Sequence, residues 1–348
     1  MAADRNVRIV VAGAGSVGCY VGGCLALAGH DVTLLLRPQL AAAVARHGLR
    51  ITDLDGKDRL VEPGAVRLAT EAEPALAESD IVLVTVKSGD TAGMTGLIAE
   101  HAPSGATVVS LQNGVGNVDV LLRRLGGMAR VVAGMVPFNV VQACAPDAPP
   151  RFHRATSGTV LIGAGVPGLR AALDAPGLAV GESRDMAGVM WGKLLLNLNN
   201  ALNALAGVPL AVELADAHWR RLLARQIDEG LRVLKAAGIK PARIEGVPPA
   251  AVPRILRLPG WLFRRVARSM LAIDPEARSS MWEDLQRHRT TEIDHLQGAI
   301  LAMAARTGVR VPLTERIVKL IKDAEAARGG SPGLSVGQVS SAGASSRR

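Results

Sequence analysis

Aromatic side chains are scarce in this 348-residue chain, with Trp, Tyr and Phe making up 2% of it. That is too few for the stacking platforms on which single-stranded nucleic acids are held. Cysteine is scarce as well. The three present, Cys19, Cys24 and Cys144, give neither a disulfide framework nor a zinc spacing, and the first two fall in a small-residue helix, where they read as core thiols. No run of eighteen apolar residues occurs, which removes a membrane-spanning helix. Dense basic runs are missing too, although the net charge is +9. Positive charge scattered in this way suits anionic small molecules, a cofactor among them, better than nucleic acid. Arg5-Asn6-Val7-Arg8 ahead of an apolar run has the opening of a signal peptide, but glycines break the run within a few residues. The cytoplasm is the expected compartment.

What is present is a globular composition, 49% hydrophobic and 20% charged, at a length that usually divides into two domains. The organising stretch is Val7 to Arg37. A β-branched strand (Val7, Ile9, Val10, Val11) runs into Gly13, Gly15 and Gly18 at Gly-x-Gly-x-x-Gly spacing. A small-residue helix, Cys19 to Ala28, then stops at Gly29-His30. The first glycine allows a tight turn, the second lets a pyrophosphate approach the backbone, and the third lets the helix pack on the sheet. Ser16 and Val17, within the glycine loop, are further cofactor-binding candidates, and the N–H groups at the helix N-terminus suit the phosphates. The next strand, Val32 to Leu36, ends in Arg37, where an NAD-selective fold has Asp or Glu. A guanidinium there suits a 2′-phosphate and favours NADP(H); the alternative is an ordinary surface arginine.

Strands and helices then alternate, which predicts an α/β fold with a Rossmann-type doubly wound sheet. A helix at Ala41–His47 leads to Leu49–Thr52 and a hairpin around Asp53–Gly56. Further strands are expected at Val66–Ala69, Ile81–Val86, Thr107–Leu111, Arg130–Phe138 and Thr159–Ile162, with helices at Glu71–Glu78, Ala92–Ala102 and Asp119–Leu125. Residues just past the carboxyl ends of such strands face the ligand crevice. Lys87 and Asn113 hold that position. The alternative for Lys87 is a solvated strand end, and Asn113 is either a contact to nicotinamide or substrate or a turn residue that tolerates a left-handed backbone.

After about Gly181 long helical patterns replace the strands. The expected division is a dinucleotide-binding domain over residues 1–184, an all-helical substrate domain over 185–328, and a Gly/Ser-rich disordered tail over 329–348. One helix over Asp185–Leu205 would align Lys193, Asn197 and Asn200 at i, i+4 and i+7, as the lining of a wet cleft or as a solvent-facing stripe. A second helix spans Ala215–Ala237, followed by a proline-rich break. Arg254 to Leu271, with Trp261, Phe263, Arg264, Arg265 and Arg268, is basic and apolar; an ordinary domain helix is favoured over one lying on a membrane. A helix from Ser279 to Arg306 would place His288, Glu292 and His295 on one face. Lacking zincin order, this set reads as presenting a substrate-hydroxyl acceptor or catalytic carboxylate, Glu292, rather than a metal site. A last helix covers Val311–Ala327.

Taken in order, Gly13-Ala-Gly-Ser-Val-Gly18, Arg37, Val86-Lys87, Leu111-Gln-Asn-Gly114, Trp191-x-Lys193-x-x-x-Asn197, and Ser279-Ser-Met281 with Thr291-Glu-Ile-Asp294 resemble the ketopantoate reductase (2-dehydropantoate 2-reductase) family from about Val7 to Ala327. The resemblance implies a Rossmann domain, an all-helical domain and a cleft between them. In that family NADPH reduces a 2-oxo acid and leaves as NADP+; the acid is ketopantoate, on the way to pantothenate and coenzyme A. Lys193 would be the general acid, Glu292 would hold the substrate hydroxyl, and Ser280 would take the carboxylate. Asn197 and Asn200 would line the substrate pocket. Asn113 would touch nicotinamide and substrate, Lys87 would lie beside the cofactor, and Arg37 would bind the 2′-phosphate. The family's second asparagine on the first substrate-domain helix falls here at Ala201, with Asn200 adjacent. The implied partner is a small-molecule 2-oxo acid, with no nucleic acid and no membrane, and a homodimer is compatible. The alternatives are a related dehydrogenase acting on another 2-oxo or hydroxy acid, and a non-catalytic NADP(H)-binding regulator.

Overall fold

The structure is a computed structural model that describes residues 7–243, 246–267 and 276–340. Arg5-Asn6 of the signal-like start, Arg268 to Leu271 of the basic segment, and the tail from residue 341 lie outside the described residues. The chain divides into two compact units, Met1–Met186 and Ala187–Arg348.

The first unit runs β1 (Arg8–Ala12), α1 (Ser16–Leu27), β2 (Asp31–Leu35), α2 (Pro38–His47), β3 (Leu49–Asp53), β4 (Asp58–Val61), β5 (Arg67–Ala69), α3 (Ala72–Leu76), β6 (Ile81–Val84), α4 (Thr91–His101), β7 (Thr107–Ser110), α5 (Asn117–Leu125), β8 (Arg130–Met135), β9 (Val140–Ala143), β10 (Arg151–Arg154), β11 (Val160–Gly163), α6 (Leu169–Leu173) and β12 (Val180–Ser183). Eight strands form one sheet in the order β12-β11-β8-β7-β6-β1-β2-β5. Pairing is parallel from β5 to β8, and β11 joins β8 antiparallel. The central strands are apolar without alternation because helices cover both faces; every residue of Ile81–Val84 is buried. The chain steps from β1 to β2 on one side and later returns to β6 on the other, so the switch point of the order lies at β1.

The sequence predicts one sheet, and the structure has two. The hairpin β3–β4 joins β10 and β9 in a separate sheet of order β4-β3-β10-β9, in which β3 and β10 run parallel. Neither β9 nor β10 stands out in the sequence, since each is only four residues long and polar on one side. This second sheet explains why α1 is apolar all round. A Cβ on Gly22 would come within 2.5 Å of Leu34 on β2, and a Cβ on Gly23 within 2.5 Å of Ile51 on β3. The helix is pressed between the two sheets. Tyr20 meets Phe138 edge-on at 5.5 Å and donates its hydroxyl to the Gly177 carbonyl. Cys19 and Cys24 are buried here, and burial pushes the Cys24 thiol up to about 11, so they serve as core.

The second unit is helical: α7 (Met186–Asn197, entering from the end of the first unit), α8 (Asn199–Ala206), α9 (Leu210–Ala215), α10 (Ala217–Ala236), α11 (Val252–Leu256), α12 (Gly260–Val266), α13 (Ser280–Gln286), α14 (Gln297–Thr307), α15 (Pro312–Ala327) and α16 (Val336–Ser340). Helix α10 is the long central element. Its Arg220, 1% exposed, donates to the carbonyls of Leu214, Ala215, Leu256 and Leu258 and lies 4.3 Å from the Phe263 ring. Its Glu229 accepts the Leu313 and Thr314 N–H groups at the start of α15, a charge-assisted cap. No helix among the described residues is long and apolar enough to cross a membrane.

Four sequence expectations change here. The predicted helix over Asp185–Leu205 is broken at Leu198 into α7 and α8. The helix predicted from Ser279 to Arg306 ends at Gln286 and resumes at Gln297. His288 takes a left-handed φ of 52° between them, so His288, Glu292 and His295 share no helical face. The basic segment forms α11 and α12 on either side of Pro259, whose ring cannot continue a helix. Residues 329–340 of the expected disordered tail are folded. Ser331 donates to the Ala204 carbonyl, Leu334 N–H to that of Leu205, and Val339 is fully buried. The segment thereby takes up carbonyls that the end of α8 would otherwise leave open.

Candidate active site

Strand register sets one edge of the first unit. Ala12 is level with Leu35 and with Val84, and Val84 is level with Ser110. The loops leaving β1, β2, β6 and β7 therefore emerge side by side, carrying Gly13, Arg37, Lys87 and Asn113. Gly13 has φ +81°, and a Cβ there would stand 2.1 Å from Val86. A Cβ on Gly18 would stand 2.5 Å from the Thr85 hydroxyl and 2.9 Å from Val11. Gly15 differs: the nearest atom to an added Cβ is 4.0 Å away, and the residue is exposed. The first turn of α1, led by Ser16 and Val17, has no side-chain cap and no acidic residue. An open glycine beside an uncapped helix start fits a pyrophosphate, whose oxygens would accept those N–H groups. Arg37 is exposed at the N-cap of α2, and its guanidinium makes no ion pair or hydrogen bond among the described residues. Thus the backbone and the cation needed for a phosphorylated dinucleotide lie along one edge.

Beneath Lys87 and Asn113 runs a polar network that sequence reading missed. Gln112 donates to the Val86 carbonyl at 3.0 Å and to the Thr91 hydroxyl at 2.7 Å. Thr91 donates to Asn117, and Asn117 donates to the Asn113 carbonyl at 2.7 Å. Ser88 donates to the same carbonyl at 3.0 Å. Gln112, Thr91, Asn117 and Ser88 are all buried. Satisfied buried networks of this kind rigidify what they hold, and this one clamps the Lys87 turn to the Asn113 turn. The available signal was a run of amides and hydroxyls after two apolar strands.

The second unit gathers the other residues around the α7–α8 break. Lys193, half-buried, and Asn197, 9% exposed, lie on α7. At the break the Leu198 carbonyl receives Gln297 Nε2 at 3.0 Å; a side chain inserted into the ladder is a recognised cause of such a kink. Two residues on, the carbonyl of half-buried Asn200 receives Ser279 Oγ at 2.9 Å. Ser279 also caps α13 by accepting the Trp282 N–H, which leaves Ser280 exposed at the first position of that helix. Glu292 sits in a turn pinned from both sides. Thr291 gives its N–H and hydroxyl to Glu325 of α15, Asp294 pairs with Lys322, and Gln297 reaches Leu198. The structure therefore draws the segments of Lys193, Asn197, Asn200, Ser280 and Glu292 to one junction. Ala201, at the position of the family's second asparagine, is fully buried. Ser279, Asn203 and Gln297, which make the junction, were not singled out by sequence; the Ser-Ser pair ahead of a helix was the cue for the first.

The family model described as Ketopantoate reductase PanE/ApbA matches residues 9–166, and that of its C-terminal part matches residues 185–325. The 2-dehydropantoate 2-reductase of Halobacterium salinarum is 30% identical, covering 92% of this chain and 99% of its own. The crystal structure of a PanE/ApbA family ketopantoate reductase from Ralstonia eutropha JMP134 is 30% identical, with a TM-score of 0.76 over 92% of this chain and 99% of that one. A 2-dehydropantoate 2-reductase from Geobacter metallireducens is 27% identical, with a TM-score of 0.74 over 91% and 100%. The chain belongs to the ketopantoate reductase family of NADPH-using oxidoreductases.

Proposed function

We propose that the protein reduces 2-dehydropantoate (ketopantoate) to pantoate, with the first unit holding NADPH and the second supplying the proton and the substrate contacts. Bound NADPH supplies a hydride to the carbonyl carbon. As negative charge builds on the ketone oxygen, the Lys193 ammonium donates a hydrogen bond and then a proton to it. Glu292 holds the substrate hydroxyl by accepting its hydrogen bond and helps position it. Ser280, exposed at the start of α13, takes the substrate carboxylate through its hydroxyl, with Asn197 and Asn200 lining the pocket. Gly13, Gly15, Ser16, Val17 and Gly18 would cradle the pyrophosphate, Arg37 would hold the 2′-phosphate, Lys87 would serve the cofactor, and Asn113 would serve nicotinamide and substrate.

The observation that carries this reading is the convergence of Ser279 on Asn200 and of Gln297 on Leu198, which joins the lysine helix to the serine and glutamate segments. The test is NADPH oxidation followed by absorbance with ketopantoate, pyruvate, 2-oxoisovalerate and no acid. Selective turnover of ketopantoate is expected; turnover of another acid alone would replace the substrate. That second reading, another 2-oxo acid, is favoured by one observation, the buried Ala201 at the family's asparagine position. A homodimer in the cytoplasm completes the proposal, checked by sedimentation equilibrium and cell fractionation.

A further inference from the structure

A carboxyl group sits in the core of the second unit, close to the proposed substrate residues but outside the mechanism just described. Glu213 of α9 is 1% exposed, and no cation pairs with it among the described residues. The charged groups on the packed elements are engaged elsewhere: Arg220 on the carbonyls of Leu214 and Ala215, Asp216 on the His218 N–H, and Arg278 on the Gly207 carbonyl. Two amides remain. Asn203 Nδ2 donates to Glu213 Oε2 at 2.7 Å. The orientation of that amide is fixed independently, because Asn203 Oδ1 accepts the backbone N–H of Ser279 at 2.9 Å, and a backbone N–H can only donate. On the other side, Glu213 Oε1 and Asn199 Oδ1 are both buried, and neither has a hydrogen-bond partner. A carboxylate oxygen buried without a donor or a cation is far more costly ionised than protonated.

We propose that Glu213 works as a neutral carboxylic acid, a positioning residue whose Oε2 accepts from Asn203, so that Asn203 holds the Ser279-Ser280 helix start in register with α8. The role given to Ser280 rests on the functional reading above; the protonation state does not. Burial pushes the Glu213 carboxyl up to about 8, against the opposing pull of Asn203 and Asn199. The sign follows. Between the ordinary carboxyl range and about 8 the folded chain holds a proton that the unfolded chain has lost, so stability falls as pH rises through that window. Above it the site buries a charge that no described cation offsets, and the α8–α9 packing that places Asn203 loosens.

The experiment compares Glu213→Gln and Glu213→Leu with the wild-type chain. A glutamine keeps one donor and one acceptor, whereas leucine keeps neither. For E213Q the decline in stability between about pH 5 and 8 should flatten, and KM for the 2-oxo acid should stay within about twofold of wild type while losing its alkaline rise. For E213L, KM should rise roughly tenfold with kcat changed less. The infrared difference spectrum of wild type minus E213Q at neutral pH should carry a protonated-carboxyl band. A carboxylate band instead, or parallel pH–stability curves, would overturn the proposal. Should E213L not fold, the E213Q measurements decide. Should the wild-type chain reduce no acid, the reductase reading falls while the infrared and stability arms still test Glu213.

Discussion

At the nucleotide edge of the first unit, Gly13 and Gly18 act by lacking a Cβ, because Val86, Thr85 and Val11 occupy the space one would need. At the α7–α8 junction of the second unit, Gln297, Ser279 and Asn203 act through what their side chains reach, each ending on a backbone group of another segment. On the reading proposed above, backbone shape would serve the dinucleotide phosphates, with Arg37 as the discriminating charge, and side-chain reach would set the choice of acid, as at Ala201. A single fold would then separate a constant function from a variable one.

The comparison breaks most sharply at Lys193. Lys193→Ala should lower kcat by roughly 10²-fold or more and leave NADPH affinity, measured by fluorescence titration, where it was; a matching loss of affinity would mean that the units do not divide the work. Gly13→Ala tests the converse. With φ at +81° and Val86 2.1 Å from the new Cβ, it should destabilise the chain by about 1–3 kcal/mol and weaken NADPH, and a wild-type denaturation midpoint would count against the packing argument. Arg37→Ala should raise the Kd of NADPH by about tenfold and barely alter that of NADH; equal effects would remove Arg37 as the reader of the 2′-phosphate. The smallest effect is expected from Ser279→Ala, about 1 kcal/mol of stability through the lost cap, with KM for the acid rising before kcat falls.

Legibility follows the same division. The fingerprint loop could be read because its requirements are local: an apolar strand, three glycines at fixed spacing, and a small-residue helix are contiguous. The strand-end positions of Lys87 and Asn113 were likewise visible, since β6 and β7 are apolar runs with abrupt polar ends. The break at Leu198 was not, because the amide that stabilises it comes from Gln297, 99 residues away. The second sheet escaped for a similar reason. Residues Arg151–Arg154 become a strand only against β3, and their own pattern is too short to announce it. Residues 329–340 misled by composition: among the glycines and serines, Val339 is buried and Ser331 and Leu334 carry hydrogen bonds to α8.

The position of α1 between two sheets also sets an order of events during synthesis. Its inner face can settle on β1 and β2 as soon as these emerge. Its outer face waits for β10, which pairs with β3 across a sequence separation of 101 residues between Thr52 and His153. Closing so long a loop is entropically slow. The glycine turn should therefore be built early on the ribosome but stiffen late, and ligand capture by a nascent chain truncated before Arg151 should be weak even though every fingerprint residue is already in place.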